Sequence, residues 1–126
     1  MINVVIADDH PIVRAGLKQI ISEETDIAVI GEASNGVELL NLVRHHDYDV
    51  VLLDLSMPNM DGWQMLREVR ADPRTKDIPV IALTAHAMIG DRERAVAAGF
   101  HNYLTKPLTV DTFMADLVKM LIDIHE

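Results

Sequence analysis

The chain contains no cysteine, so no disulfide can hold it. That absence fits a reducing cytoplasm, the location expected here. It has no apolar run long enough to span a bilayer, which argues against a membrane-embedded role. Its first residues, Met1-Ile2-Asn3-Val4-Val5, lack the basic segment that opens a secretory signal. Basic residues are also in short supply. Eleven Lys and Arg against twenty Asp and Glu give a formal net charge of −9, the wrong sign for gripping nucleic-acid phosphates. No linker, low-complexity tract or tandem repeat divides the sequence. What remains is a 126-residue chain, nearly half of it apolar, long enough for one domain over residues 1–126 with one core.

Apolar runs rich in β-branched residues alternate with stretches of helical periodicity. Ile2 to Ala7 is the first run. Pro11 to Glu23 reads as a helix, with Ile12, Val13, Gly16, Leu17, Ile20 and Ile21 on one face and Pro11 at its first turn. Ile27 to Ala33 is a second strand. A helix follows from Val37 to about His45, opened by Asn35 and Glu38 in capping-box spacing. Val50 to Leu53 is wholly apolar, as a strand buried on both faces should be. A third helix carries Met65, Leu66 and Val69, and Val80 to Leu83 is a fourth strand. A helix over roughly Ile89 to Ala98 stops at Gly99, and Phe100 to Leu104 is the last strand. A final helix from Thr109 bears the stripe Val110, Phe113, Met114, Leu117, Leu121 and Ile124. Five βα units with short connections predict an α/β fold, a doubly wound parallel sheet of flavodoxin-like (βα)5 type with strand order 2-1-3-4-5.

Polar residues interrupt the strands at one end only. The first strand runs into Asp8-Asp9, the third into Asp54, the fourth into Thr84 and the fifth into Thr105-Lys106. In a parallel α/β sheet these ends share one edge, and ligands bind in the crevice where strand order reverses, here between strands one and three. Three carboxylates gathered there repel one another unless a cation neutralises them. Mg²⁺ suits a few carboxylates and a carbonyl, and Mn²⁺ can substitute. With Lys106 as a second cation and the Thr84 hydroxyl as a donor, the parts for phosphoryl transfer to Asp54 are present.

Taken together, Asp8-Asp9, Asp54, Met57-Pro58, Asp61-Gly62, Thr84-Ala85 and Lys106-Pro107 resemble the signature of response-regulator receiver domains, and the likeness covers the whole chain. It implies a phosphoacceptor switch of a two-component phosphorelay, a signalling domain that catalyses only its own phosphorylation and dephosphorylation. Asp54 would be the phosphoacceptor. Asp9, Asp54 and the Ser56 carbonyl would bind Mg²⁺ directly, with Asp8 acting largely through water. Thr84 and Lys106 would each bond a phosphoryl oxygen. Tyr103 would turn inward when Thr84 moves, and the Lys106–Pro107 bond would be cis. Ser56 and His86 would flank the path of the hydrolytic water and set phosphoryl lifetime. The implied donor is a histidine kinase or a histidine phosphotransfer protein. Homodimerisation stays open, through helix four, strand five and helix five or through helices one and five. Neither nucleic acid nor membrane is an expected direct partner.

Plainer readings stand beside these. Singly, Asp9 is as good a cap for the first helix as a metal ligand. Thr84, Lys106 and Tyr103 could be an ordinary strand-end threonine, a solvated lysine and a static tyrosine. His10 and His86 lie near the site, but an all-oxygen Mg²⁺ site needs neither, and both are set aside as ligands. A haloacid-dehalogenase-type phosphatase would need an Asp where Ser56 stands. A flavodoxin-type carrier would find its phosphate repelled by Asp8-Asp9. The segments Ala7 to Leu17 and Val29 to Ala33 resemble receivers of LuxR-type regulators. Ala82 to Met88 and Ala97 to Leu108 resemble those of hybrid histidine kinases. A recombined or engineered receiver with its seam near Asp61-Gly62 would account for this, with natural drift as the alternative.

Overall fold

The computed structural model describes residues 2–23, 25–55, 62–84, 91–105 and 119. Ser56, His86, Lys106 and the expected fifth helix fall outside them. Four βα pairs and a further strand follow in order: β1 (Ile2–Ala7), α1 (Pro11–Ser22), β2 (Ile27–Ala33), α2 (Gly36–His45), β3 (Val50–Asp54), α3 (Gly62–Ala71), β4 (Val80–Thr84), α4 (Asp91–Ala98) and β5 (Asn102–Thr105). The strands are parallel in the order β2-β1-β3-β4, with the backbone of β5 paired beside β4. The chain therefore winds outward from β1 in both directions, as the alternation of elements predicts.

Strand alternation splits the apolar residues between two cores. Val4, Ile6, Val50, Leu52, Ile81 and Leu83 face Leu17 and Ile21 of α1. Val5, Ala7, Val51, Leu53, Val80 and Ala82 face the other way, onto Leu39 and Val43 of α2, Met65, Leu66 and Val69 of α3, and Ala95 of α4. Both faces of β1, β3 and β4 are thus covered, which explains why the sequence of β3 shows no polar alternation. Trp63 packs edge-on against Phe100, with ring centroids 5.4 Å apart.

The helix boundaries sharpen the sequence reading in three places. The N-cap of α1 is His10, and no side chain caps it, so Asp9 is not spent on capping. Ile12 leaves the apolar face expected for it and is 88% exposed. Leu17 and Ile21, with Val13 and Ile20 beside them, form the stripe that meets the sheet, and Ile12 lies too far round the helix to join it. At α2 the Asn35 side chain accepts from the Glu38 amide at 2.9 Å, but Glu38 reaches back to Ser34 rather than to Asn35.

One glycine is dictated by a close approach. The register between β1 and β2 shifts at Val4/Val5, so Ile30 is left without a paired position and stands half out of the sheet. Next to this bulge lies Gly31. A Cβ added there would run into the ring and hydroxyl of Tyr48, which is buried just ahead of β3. Gly31→Ala should therefore destabilise the fold by about 1–3 kcal/mol, the usual cost of overpacking a filled site. Urea melts check this, and truncating Tyr48 in the same chain should recover part of the loss, because the two residues share one clash.

Candidate functional site

Connectivity decides which polar residues meet. Ala7 is in register with Leu53, so β1 and β3 end level at the carboxyl edge of the sheet. Asp8 follows directly and its amide still bonds the Ala33 carbonyl of β2 at 3.0 Å. Asp54 is the last residue of β3 and shares the parity of Val50 and Leu52, which directs it to the face that α1 covers. The side chains of Asp8 and Asp54 are 0% and 2% exposed, that of Asp9 26%. Carboxylates are seldom buried this deeply without a partner of opposite charge.

Asp8, Asp9, His10 and Asp54 each offer one donor atom, and the four atoms lie within 4.8 Å of one another. The imidazole is a member that the sequence reading set aside. His10 Nδ1 lies 3.0 Å from Asp8 Oδ1, 3.1 Å from Asp9 Oδ1 and 3.9 Å from Asp54 Oδ2. Its adjacency to the acidic pair was visible in the sequence; the turn of its ring into the crevice was not. Asp8 Oδ1 also accepts from the His10 amide at 2.9 Å, which folds the loop tightly over the end of β1. Arg14, one turn into α1, donates from Nη1 to the Asp8 carbonyl at 2.6 Å and lies 3.5 Å from Glu32 at the end of β2. Lys18 reaches the same Glu32 at 2.9 Å. This bracket fixes the acidic loop against both α1 and β2.

The donor set fits a hard divalent cation. Asp9 Oδ1 is shut off from solvent and accepts no hydrogen bond, an oxygen of the kind a divalent cation takes as a ligand. Two more carboxylates stand within reach of the same point. Thr84 ends β4, one strand over from Asp54, and is 8% exposed. Tyr103 belongs to β5 with its backbone in register with Ala82; its side chain lies outside what is described. Ser56 and Lys106 likewise lie outside the described residues, so the structure brings together Asp8, Asp9 and Asp54, with Thr84 on the neighbouring strand end.

Comparison with known proteins agrees with this geometry. The family model for the response regulator receiver domain matches residues 4–118. The chain belongs to the response regulator receiver domain family. The nitrate/nitrite response regulator protein NarL of Escherichia coli strain K12 is 38% identical over 118 residues, covering 94% of this chain and 52% of NarL. The sensor protein EvgS of the same strain is 34% identical over 122 residues, 94% of this chain and 10% of EvgS. The chain therefore spans about half the length of one relative and a tenth of the other. The signal receiver domain of a NarL response regulator from Mycobacterium tuberculosis superposes with a TM-score of 0.83 at 32% identity, covering 95% of each chain. A two-component receiver domain is thus the class to which fold and sequence assign the protein.

Three acidic groups at this range repel by a few kcal/mol per pair at an effective dielectric near ~20. Removing one of them should raise stability in metal-free buffer by about 1–2 kcal/mol, part of the gain being lost with its hydrogen bonds. Urea melts of Asp54→Asn and Asp9→Asn check the sign. Saturating Mg²⁺ should stabilise the wild type by roughly 2.7 kcal/mol at one hundred times its dissociation constant. Asp9→Asn should lose most of that increment. Metal-free variants less stable than wild type would contradict the crowded-carboxylate account.

Proposed function

We propose that residues 1–126 act as one phosphoacceptor switch, completed by a fifth helix after β5, and that Asp54 takes a phosphoryl group from a histidine kinase or a histidine phosphotransfer protein. The observation that carries this reading is the meeting of Asp8, Asp9 and Asp54 at the level ends of β1 and β3. Asp9, Asp54 and the Ser56 carbonyl would hold Mg²⁺, with Asp8 set back and acting largely through water. When bound, the ion supplies positive charge for the phosphoryl oxygens.

The chain's own residues do the rest. A carboxylate oxygen of Asp54 attacks phosphorus in line with the phosphohistidine nitrogen. The O–P bond forms as the P–N bond breaks, and the departing imidazole keeps its electron pair and picks up a proton. Burial of Asp54 limits the water that could compete for the phosphoryl group. The Lys106 ammonium pairs with one phosphoryl oxygen and the Thr84 hydroxyl donates to another. Thr84 would move to do so, and Tyr103 would turn into the space it leaves, passing the change to the surface around α4 and β5. Hydrolysis reverses the state: water attacks phosphorus, inorganic phosphate leaves, and the Asp54 carboxylate returns. Ser56 and His86 would line that water's approach. The recombined origin of the two halves is part of the same reading, and scoring each half separately against regulators and sensor kinases tests it.

Incubation with acetyl phosphate and Mg²⁺ should add one phosphate to the wild type and none to Asp54→Asn, read by intact-protein mass spectrometry. Equal labelling of the variant would sink the assignment. Lys106→Ala should fold, bind Mg²⁺ and accept phosphate slowly, yet show none of the phosphorylation-dependent amide shifts that the wild type shows around β5 in nitrogen–proton NMR spectra. A normal shift pattern in that variant would remove Lys106 from the switch.

A further inference from the structure

Arg14 grips the acidic loop at the peptide unit that joins its two acids. It is the fourth residue of α1, and helical side chains lean toward the helix N-terminus, so its guanidinium reaches back over the loop that precedes it. There Nη1 donates to the Asp8 carbonyl at 2.6 Å, a short charge-assisted bond. That carbonyl lies in the same planar unit as the Asp9 amide, so holding it sets the direction in which the chain leaves toward Asp9. The guanidinium is itself held from the far side. Its Nε lies 3.5 Å from Glu32 Oε1, while Lys18, one turn further along α1, takes Glu32 Oε2 at 2.9 Å. Glu32 is in register with Ile6 of β1, so this anchor belongs to the sheet and not to the loop. Only 19% of the Arg14 side chain is exposed, where a purely solubilising arginine would extend its head into water. The planar guanidinium meets a carbonyl and a carboxylate from one side chain; a lysine ammonium has no such fixed fork.

We infer that Arg14 is a positioning residue for the metal site: by fixing the Asp8–Asp9 peptide it presents the Asp9 carboxylate and so tightens Mg²⁺ binding, with Glu32 acting through it. The inference rests on the reading of Asp8, Asp9 and Asp54 as the metal site. Charge alone predicts the opposite sign, because a guanidinium near the crevice repels a dication. Glu32 offsets that charge, and its ion pair with Lys18 keeps it in place to do so. What is left is the geometric effect. A loop already held in its binding conformation does not have to be ordered when the ion arrives.

Calorimetric titration of the full chain with Mg²⁺ separates the two signs. Arg14→Gln should weaken Mg²⁺ binding by roughly tenfold, the lower end of what loss of an outer partner costs a metal site. Arg14→Lys, which keeps the charge without the fork, should recover only part of the loss. Glu32→Gln should weaken binding less, and adding it to Arg14→Gln should change nothing further, because both act along one route. At saturating Mg²⁺ the acetyl phosphate labelling rate of Arg14→Gln should stay within about twofold of wild type, since ion affinity alone is lost. In metal-free protein, hydrogen exchange at the His10 amide should quicken in Arg14→Gln while Val5 and Ile6, inside β1, keep their protection; a general loss of stability would move all three. Unchanged or tighter Mg²⁺ binding in Arg14→Gln, full recovery in Arg14→Lys, or exchange that rises equally at all three amides would each overturn the proposal. Should Arg14→Gln not fold, wild-type Mg²⁺ affinity in Glu32→Gln would overturn it. If the wild type bound Mg²⁺ and labelled at Asp54 in those cases, only the role of Arg14 would fall. A wild type that bound no Mg²⁺ would overturn this inference together with the metal site itself.

Discussion

The repulsion among Asp8, Asp9 and Asp54 is the constraint around which the rest of the molecule is arranged. Two of these side chains are almost fully buried, and nothing in the physics of folding favours putting like charges there. They are held by force of topology. Leu53 and Ala7 sit in register inside a sheet with both faces covered, so the strands cannot slide to separate the acids without exposing two cores. The fold thus concentrates negative charge at one point of its surface. In the function proposed above, a cation and a phosphoryl group would bind at this point, and a site whose occupancy changes its own energetics suits a switch.

The surroundings of the acids show how the loop is kept from relaxing. Arg14 clasps the Asp8 carbonyl, and Glu32 draws Arg14 and Lys18 toward β2. Pro11 starts α1 at once, leaving only three residues between β1 and the helix. None of these contacts neutralises the carboxylate oxygens themselves. They fix the backbone, while the carboxylate oxygens of Asp8 and Asp9 face the His10 ring. Rigidity of the frame and the negative charge at its centre are therefore separate properties, supplied by different residues.

The sheet also joins the acidic crevice to the far edge of the molecule. β4 carries Thr84 at its end and is in register with β5, where Tyr103 lies opposite Ala82. β4 thus lies between β3, which ends in Asp54, and β5. Relatives as different in length as NarL and EvgS match this chain over 94% of it.

By itself the sequence determined the period and order of the elements. Alternating apolar runs and helical stripes specify βα pairs, and β-α alternation with short connections leaves the doubly wound parallel sheet as the main solution. It also determined where acids and hydroxyls stop the strands, so Asp8, Asp9, Asp54 and Thr84 were legible as one edge before any coordinates. Side-chain direction was not legible, because it depends on packing between elements distant in sequence. That Ile12 leaves the apolar face, that Glu38 turns back to Ser34, and that Tyr48 closes on Gly31 are outcomes of how helices seat on the sheet. The same holds for His10. One-dimensional reasoning set it aside because an oxygen site has no need of nitrogen. Only the tertiary structure, by starting α1 at Pro11 and tying the His10 amide to Asp8, put its ring among the carboxylates.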